Sequence, residues 1–180
     1  MKKGNKMQKV LIIGCCGAGK STFSKKLQSI LNVELIHLDR YYHKPNWEEP
    51  KKEEWERIVN NLIKKPSWIM DGTYIESLDI RIEKCDTLIY LDYSILKCFF
   101  RVVKRVFIDY GKKRSDMAPG CKEEFDLEFL KYVLTFNYKN RANIYNILEK
   151  VKTTKDVIIL KKDKELDSFL SQLRERNQTP

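Results

Sequence analysis

Val10-Leu11-Ile12-Ile13 runs directly into Gly14-Cys15-Cys16-Gly17-Ala18-Gly19-Lys20-Ser21-Thr22, and this junction constrains the fold more than any other stretch. Four apolar, mostly β-branched residues read as a strand buried on both faces, as in a parallel sheet. Residues 14–21 then fit G-x-x-x-x-G-K-[ST], the spacing of a phosphate-binding loop. Glycine at 14, 17 and 19 permits positive φ, so successive backbone N–H groups can converge on phosphate oxygens. A helix opening near Lys20 adds the positive end of its dipole. Lys20 offers a point charge to the β- and γ-phosphates, and the Ser21 hydroxyl suits Mg²⁺. Gly14 through Thr22 are therefore the candidate nucleotide site, and ATP with Mg²⁺ the implied cofactors.

The rest of the chain alternates strand and helix patterns. Phe23, Leu27, Ile30 and Leu31 share a face of a helix over about 20–31, with lysines opposite. A strand over 33–38 ends on Asp39. An irregular aromatic segment, Tyr41 to Pro50, follows. Pro50 is placed to open a helix carrying Trp55, Ile58, Val59, Leu62 and Ile63, and Pro66 ends it. Trp68-Ile69-Met70 is a short strand leading into Asp71-Gly72, and Thr87 to Leu91 is another, ending on Asp92. Ser94 caps a helix through about Tyr110, where Gly111 stops it. Residues 112–124 read as a polar loop. A long helical stretch, about 125–150, is interrupted around 137–140, and a strand over 157–160 precedes a last helix. The alternation predicts an α/β fold with helices on both faces of a parallel sheet. At 180 residues the chain fits one domain, 1–180, with a lid at about 111–124 and an acceptor-side segment at about 40–66.

Composition excludes some classes. No run approaches the roughly 18 apolar residues that span a bilayer, and the basic N-terminus does not continue as a signal peptide. Five cysteines without metal-ligand spacing fit reduced thiols and a cytoplasmic location. The net charge of +10 is mostly lysine and spread along the chain. It fits compositional drift plus a cationic cleft for a phosphate-rich substrate; a nucleic-acid partner is the alternative, without a recognition motif beside it.

In open parallel sheets ligands lie beyond the carboxyl ends of the strands, where Asp39, Asp71 and Asp92 fall. Asp71, followed by a glycine, is the candidate Mg²⁺ ligand, directly or through water. Asp39 is placed to accept the proton of an attacking hydroxyl, or to hold the metal, and Asp92 reads as structural. Phosphoryl transfer also needs cations over the equatorial oxygens. Arg101 and Arg105 lie four apart ahead of the loop carrying Lys112, Lys113 and Arg114, and Arg141 follows in the next helix. Helix, cationic loop and helix read as a closing lid, expected to bury little apolar surface without ligand; a solvated basic turn is the alternative. His37 reads as a packed core residue. Tyr42, His43 and Trp47 could embrace a second substrate or form a local cluster. Cys15 and Cys16 read as replacements of small residues, with nearby positive charge able to lower a thiol pKa.

With these pieces placed, the chain resembles P-loop kinases of the adenylate kinase and shikimate kinase type. The resemblance rests on Gly14–Thr22, Asp39, Asp71-Gly72-Thr73-Tyr74, Asp92 and the Arg101/Arg105 pair. It is more similar still to the adenylate-kinase-related bacterial DNA topology modulation proteins. That likeness runs from about Gln8 to Leu148, through His37-Leu38-Asp39, Leu78-Asp79-Ile80-Arg81 and Asp116-Met117-Ala118-Pro119-Gly120-Cys121. The resemblance implies a three-layer sandwich with a five-stranded parallel sheet in the order 2-3-1-4-5. It also implies Arg101 at the adenine, Arg105 on the phosphates and Arg81 as a further phosphate contact on the substrate side; the residues themselves put Arg114 with Arg105 in the closing lid, and Asp39 and Arg141 on the substrate side. The chain lacks the Pro-Arg that follows Asp-Gly in adenylate kinases and is shorter after Asp39, which tells against AMP as acceptor. The expected activity is Mg-ATP-dependent phosphoryl transfer to a small acceptor; the alternative is a nucleotide-dependent DNA-associated regulator. Oligomeric state has no signal in the sequence.

Overall fold

A computed structural model describes residues 7–112 and 115–178. Its strands are β1 (Lys9–Gly14), β2 (Leu35–His37), β3 (Trp68–Asp71), β4 (Thr87–Leu91) and β5 (Asp156–Leu160). They form one parallel sheet in the order β2-β3-β1-β4-β5, as expected, with helices on both faces. Register explains why the site gathers at one rim. Ile12 and His37 both pair with Asp71, and Gly14 pairs with Leu91, so the strands end nearly level. Val10 to Ile13 are fully buried at the centre of the core, as a strand covered on both faces must be.

The helices are α1 (Lys20–Leu31), α2 (Asp39–Tyr42), α3 (Lys52–Ile63), α4 (Leu78–Lys84), α5 (Ile95–Asp109), α6 (Leu127–Phe136), α7 (Ala142–Val151) and α8 (Asp163–Gln178). α1 buries Phe23, Ser24 and Leu27 and stops at Asn32, whose left-handed backbone donates its N–H to the Gln28 carbonyl. Trp55, Val59, Leu62 and Ile63 are the buried stripe of α3, which begins two residues after Pro50. Ser94 caps α5 and Asp126 caps α6 through side-chain oxygens. The expected interruption of the long helical stretch is a π-turn, Asn137–Arg141. Its wider turn absorbs an extra residue, so Phe136 before it and Ile144 after it both stay buried. The sequence pattern gave no sign of α4, whose seven residues are too few to show a period. Among the described residues no helix is long and apolar enough to cross a membrane.

Candidate active site

The phosphate loop owes its shape to glycine for two reasons. Gly17 and Gly19 take φ of 81° and 92°, in the left-handed region. Space is the second constraint: a Cβ on Gly17 would lie 2.4 Å from the Cys98 carbonyl oxygen, and one on Gly14 2.7 Å from that of Leu91. The loop is thus wedged between the end of β4 and α5. Thr73 pins its base, its hydroxyl donating to the Gly14 carbonyl (2.7 Å) and accepting from the Gly14 N–H (3.0 Å). Lys20 turns back, its Nζ donating to the carbonyls of Gly14 and Cys15 at 2.9 and 3.1 Å. Cys15 is buried, and hydrogen bonding to Cys98 together with burial pushes its thiol well above the ordinary range. The expected lowering by positive charge is outweighed there; Cys98 is the thiol whose pKa falls, chiefly through that same bond.

The loop forms one wall of a cavity of about 1340 Å³. Asp39, Tyr74, Trp55 and Trp47 also line it, with Tyr132 from α6. The Tyr74 hydroxyl donates to Asp39 Oδ1 at 2.7 Å, and burial with the Asp39 charge pushes the phenol pKa up, so it stays a donor. Asp71, 4% exposed, is not a bare metal ligand. Ser24 Oγ donates to its Oδ2 at 2.7 Å, and His37 Nδ1 lies 2.9 Å from both carboxylate oxygens. His37 is buried as expected, yet it is a partner of Asp71 rather than simple packing. Ser21 and Asp71 both line the cavity, and a hydroxyl beside one carboxylate is what Mg²⁺ takes from a protein when phosphate and water complete its shell. Among the described residues no group of three or more His, Cys, Asp or Glu could hold a metal without such help.

The lid departs from expectation. Met117, Ala118 and Cys121 are buried and form a small apolar cluster with Trp47 of the acceptor-side segment. Trp47 Nε1 donates to the Lys122 carbonyl (3.1 Å), and Cys121 Sγ to that of Lys44 (3.2 Å). Gly111 and Lys112 pair with Glu123 through backbone bonds, and Lys25 of α1 reaches Ser115 Oγ at 2.8 Å. The described part of the loop is therefore fastened across the cavity. The sequence missed this because Met117, Ala118 and Cys121 are scattered among turn residues and have no period to read.

Comparison with known proteins bears on this geometry. No family model matches the chain. A shikimate kinase of Clostridium botulinum (strain Loch Maree / Type A3) is 27% identical over 154 residues, 77% of this chain and 83% of that one. A shikimate kinase of Histophilus somni (strain 2336) is 32% identical over 107 residues, 51% of this chain and 61% of that one. The solved shikimate kinase of Bacteroides thetaiotaomicron superposes with a TM-score of 0.58 at 17% identity, over 94% of this chain and 98% of its own. That of Acinetobacter baumannii, solved in complex with shikimate, gives 0.57 at 16%, over 97% and 96%. The chain is an ATP-dependent P-loop kinase.

Its arginines are placed differently from expectation. Arg81 is not a phosphate contact in this kinase. It is fully buried, and its guanidinium donates to the carbonyls of Ser77 (3.0 Å), Gly72 (2.8 Å), Thr73 (2.6 Å) and Tyr74 (2.7 Å). Burial pushes its pKa down to about 9. Those bonds hold Tyr74 at a φ of 28°, a strained value for an aromatic residue. Arg141, expected on the substrate side, is not among the residues lining the cavity: it pairs bidentately with Asp92 at 3.0 and 2.8 Å, where Tyr145 adds a third bond. Asp92 is buried and its carboxylate is taken up by these three bonds. Arg105 does line the kinase cavity, gripped by Glu123 of the lid at 2.8 Å. Arg101 lines it too, beside Gly19, bonded to Asp163 at 3.1 Å and lying over the Tyr93 ring. Arg114 lies outside the described residues.

Proposed function

We propose that this kinase moves the γ-phosphoryl group of Mg-ATP to a hydroxyl of a small metabolite bound between the phosphate loop and Asp39. The observation that carries the reading is that the loop and Asp39 face one cavity, with Asp39 held by Tyr74. Mg-ATP, when bound, supplies the phosphoryl group and a chelated leaving diphosphate. Gly14 to Thr22, with Lys20, would hold the phosphates, and Ser21 with Asp71, directly or through water, would hold the metal. Arg101 borders the nucleotide end and Arg105 the phosphoryl path. Asp39 takes the proton of the acceptor hydroxyl as its oxygen bonds to phosphorus and the bridging oxygen departs with ADP. The similarity to shikimate kinases supports a small acceptor, and five free cysteines suit a cytoplasmic enzyme.

ADP release from Mg-ATP should depend on added acceptor across a panel of metabolites, nucleosides and nucleotides. It should vanish in Lys20→Ala, which should also lose thermal stabilisation by Mg-ATP. Equal stabilisation of both proteins would sink the phosphate-loop assignment. The +10 charge favours the DNA-associated reading, against which several cavity cations are already paired with carboxylates, as in Lys26–Asp167 and Arg101–Asp163. Direct DNA binding requires a log affinity falling by about 0.9 per neutralised phosphate against log salt. That slope, with no small-acceptor turnover, would reverse the preference.

A further inference from the structure

We propose that the acceptor is an alcohol carrying an ammonium group and no carboxylate or phosphate, an inference that rests on the reading of the cavity as a kinase acceptor site. Among the cavity-lining residues from 39 to 76 the acidic side chains are Asp39, Glu49 and Glu76, besides Asp71 at the metal, and there is no Lys or Arg. His43 is held toward its neutral form by burial, against the pull of Asp39 and Glu49. The basic side chains of the cavity come from other elements and are engaged. Lys20 holds loop carbonyls, Lys25 Ser115, Lys26 Asp167, Arg101 Asp163 and Arg105 Glu123. They flank the loop, where a triphosphate needs them. An anionic acceptor would therefore meet carboxylates along this wall without a described cation to receive it.

The same wall is aromatic. Tyr42 packs against Trp55 at 5.0 Å and Tyr74 at 4.5 Å, and His43 packs against both Tyr42 and Trp47 at 5.1 Å. Ring faces beside carboxylates attract an organic cation through the ring quadrupole as well as through charge. Two of these rings, Trp47 (φ 62°) and Tyr74 (φ 28°), sit on strained backbone, and such strain persists where surrounding structure enforces a particular surface. His43 Nδ1 is buried without a hydrogen-bond partner at this wall. Asp39 keeps Oδ2 clear of any described protein hydrogen bond while Tyr74 occupies Oδ1. The acceptor hydroxyl belongs at Asp39, and the ammonium group among Tyr42, Tyr74 and Glu76. The acceptor class therefore differs from shikimate, a carboxylate.

The test uses the full chain with Mg²⁺ and a non-hydrolysable ATP analogue, reading the intrinsic fluorescence of its three tryptophans, of which Trp47 and Trp55 line the cavity. Choline and ethanolamine are titrated against glycolate and shikimate. The cations should give a saturable response at least tenfold tighter than the anions. Glu49→Gln combined with Glu76→Gln should cut that ratio below threefold. Anions binding as tightly as cations, no saturable response to either cation, or an unchanged ratio in the double variant would each overturn the proposal. Thermal stabilisation by the nucleotide is recorded in the same samples. Its loss in the wild type would instead overturn the kinase reading, so the two failures are distinguishable.

Discussion

Replacing Arg81 by Met separates a positioning role from a phosphate contact. The guanidinium makes four hydrogen bonds to carbonyls, all at 3.0 Å or less. Charge-assisted bonds are worth about 1.5–3 kcal/mol each, bounding the gross loss at roughly 6–12 kcal/mol. Against it stands the cost of burying the charge. A pKa lowered from 12.5 to about 9 corresponds to about 5 kcal/mol. The net loss is then roughly 1–7 kcal/mol, centred near 4, against a total stability of about 5–15 kcal/mol. For a chain this long that is a fall in Tm of about 8–16 °C. Urea unfolding should show a lower midpoint at unchanged slope, and saturating Mg-ATP should still stabilise the variant. Arg81→Lys should behave similarly, because an ammonium cannot span carbonyls from Gly72 to Ser77. Should either variant keep its midpoint and lose only ATP affinity, Arg81 would be a phosphate ligand after all.

Gly17→Ala puts a methyl 2.4 Å from the Cys98 carbonyl, at a φ that itself costs about 1–2 kcal/mol; thermal shift should show a lower Tm and at least tenfold weaker Mg-ATP binding. His43 gives a pH signature. Burial lowers its folded pKa below 6.5, so between that value and 6.5 the unfolded chain binds the extra proton, and stability falls as pH drops through the window. His43→Gln should remove that part of the acid slope in urea midpoints taken from pH 8 to 5; identical slopes would refute it. Trp47→Ala removes the apolar partner of Met117, Ala118 and Cys121, and hydrogen exchange over 115–124 should speed at least tenfold, whereas unchanged protection would deny the clasp.

Much of the fold was legible because its signals are local and periodic. β1 announces itself by four apolar residues before glycine, α1 and α3 by stripes three and four apart, and α5 by Ser94 and Gly111. The phosphate loop was legible because its backbone demands glycine at fixed positions. The arginines were not. Nothing in the sequence tells Arg81, turned inward onto carbonyls, from Arg105, turned toward the cavity, since both lie on helices and the difference is which face is buried. Arg141 was misplaced for a related reason: the π-turn rotates it toward Asp92. Thr73, which pins the loop, left only a weak trace as the residue after Asp71-Gly72.

The clasp between Trp47 and Cys121 has a thermodynamic consequence for ligand capture. The lid is joined to the acceptor-side segment through Trp47, Lys44 and Cys121, so a ligand that needs the two apart must select a less populated, unfastened form. Apparent dissociation constants are then multiplied by the reciprocal of that form's population; at 1% open the penalty is about 100-fold. Both substrates then face the same opening step, so whichever binds first and keeps the clasp undone admits the second more readily, and nucleotide and acceptor become positively coupled through the clasp in addition to their direct contact.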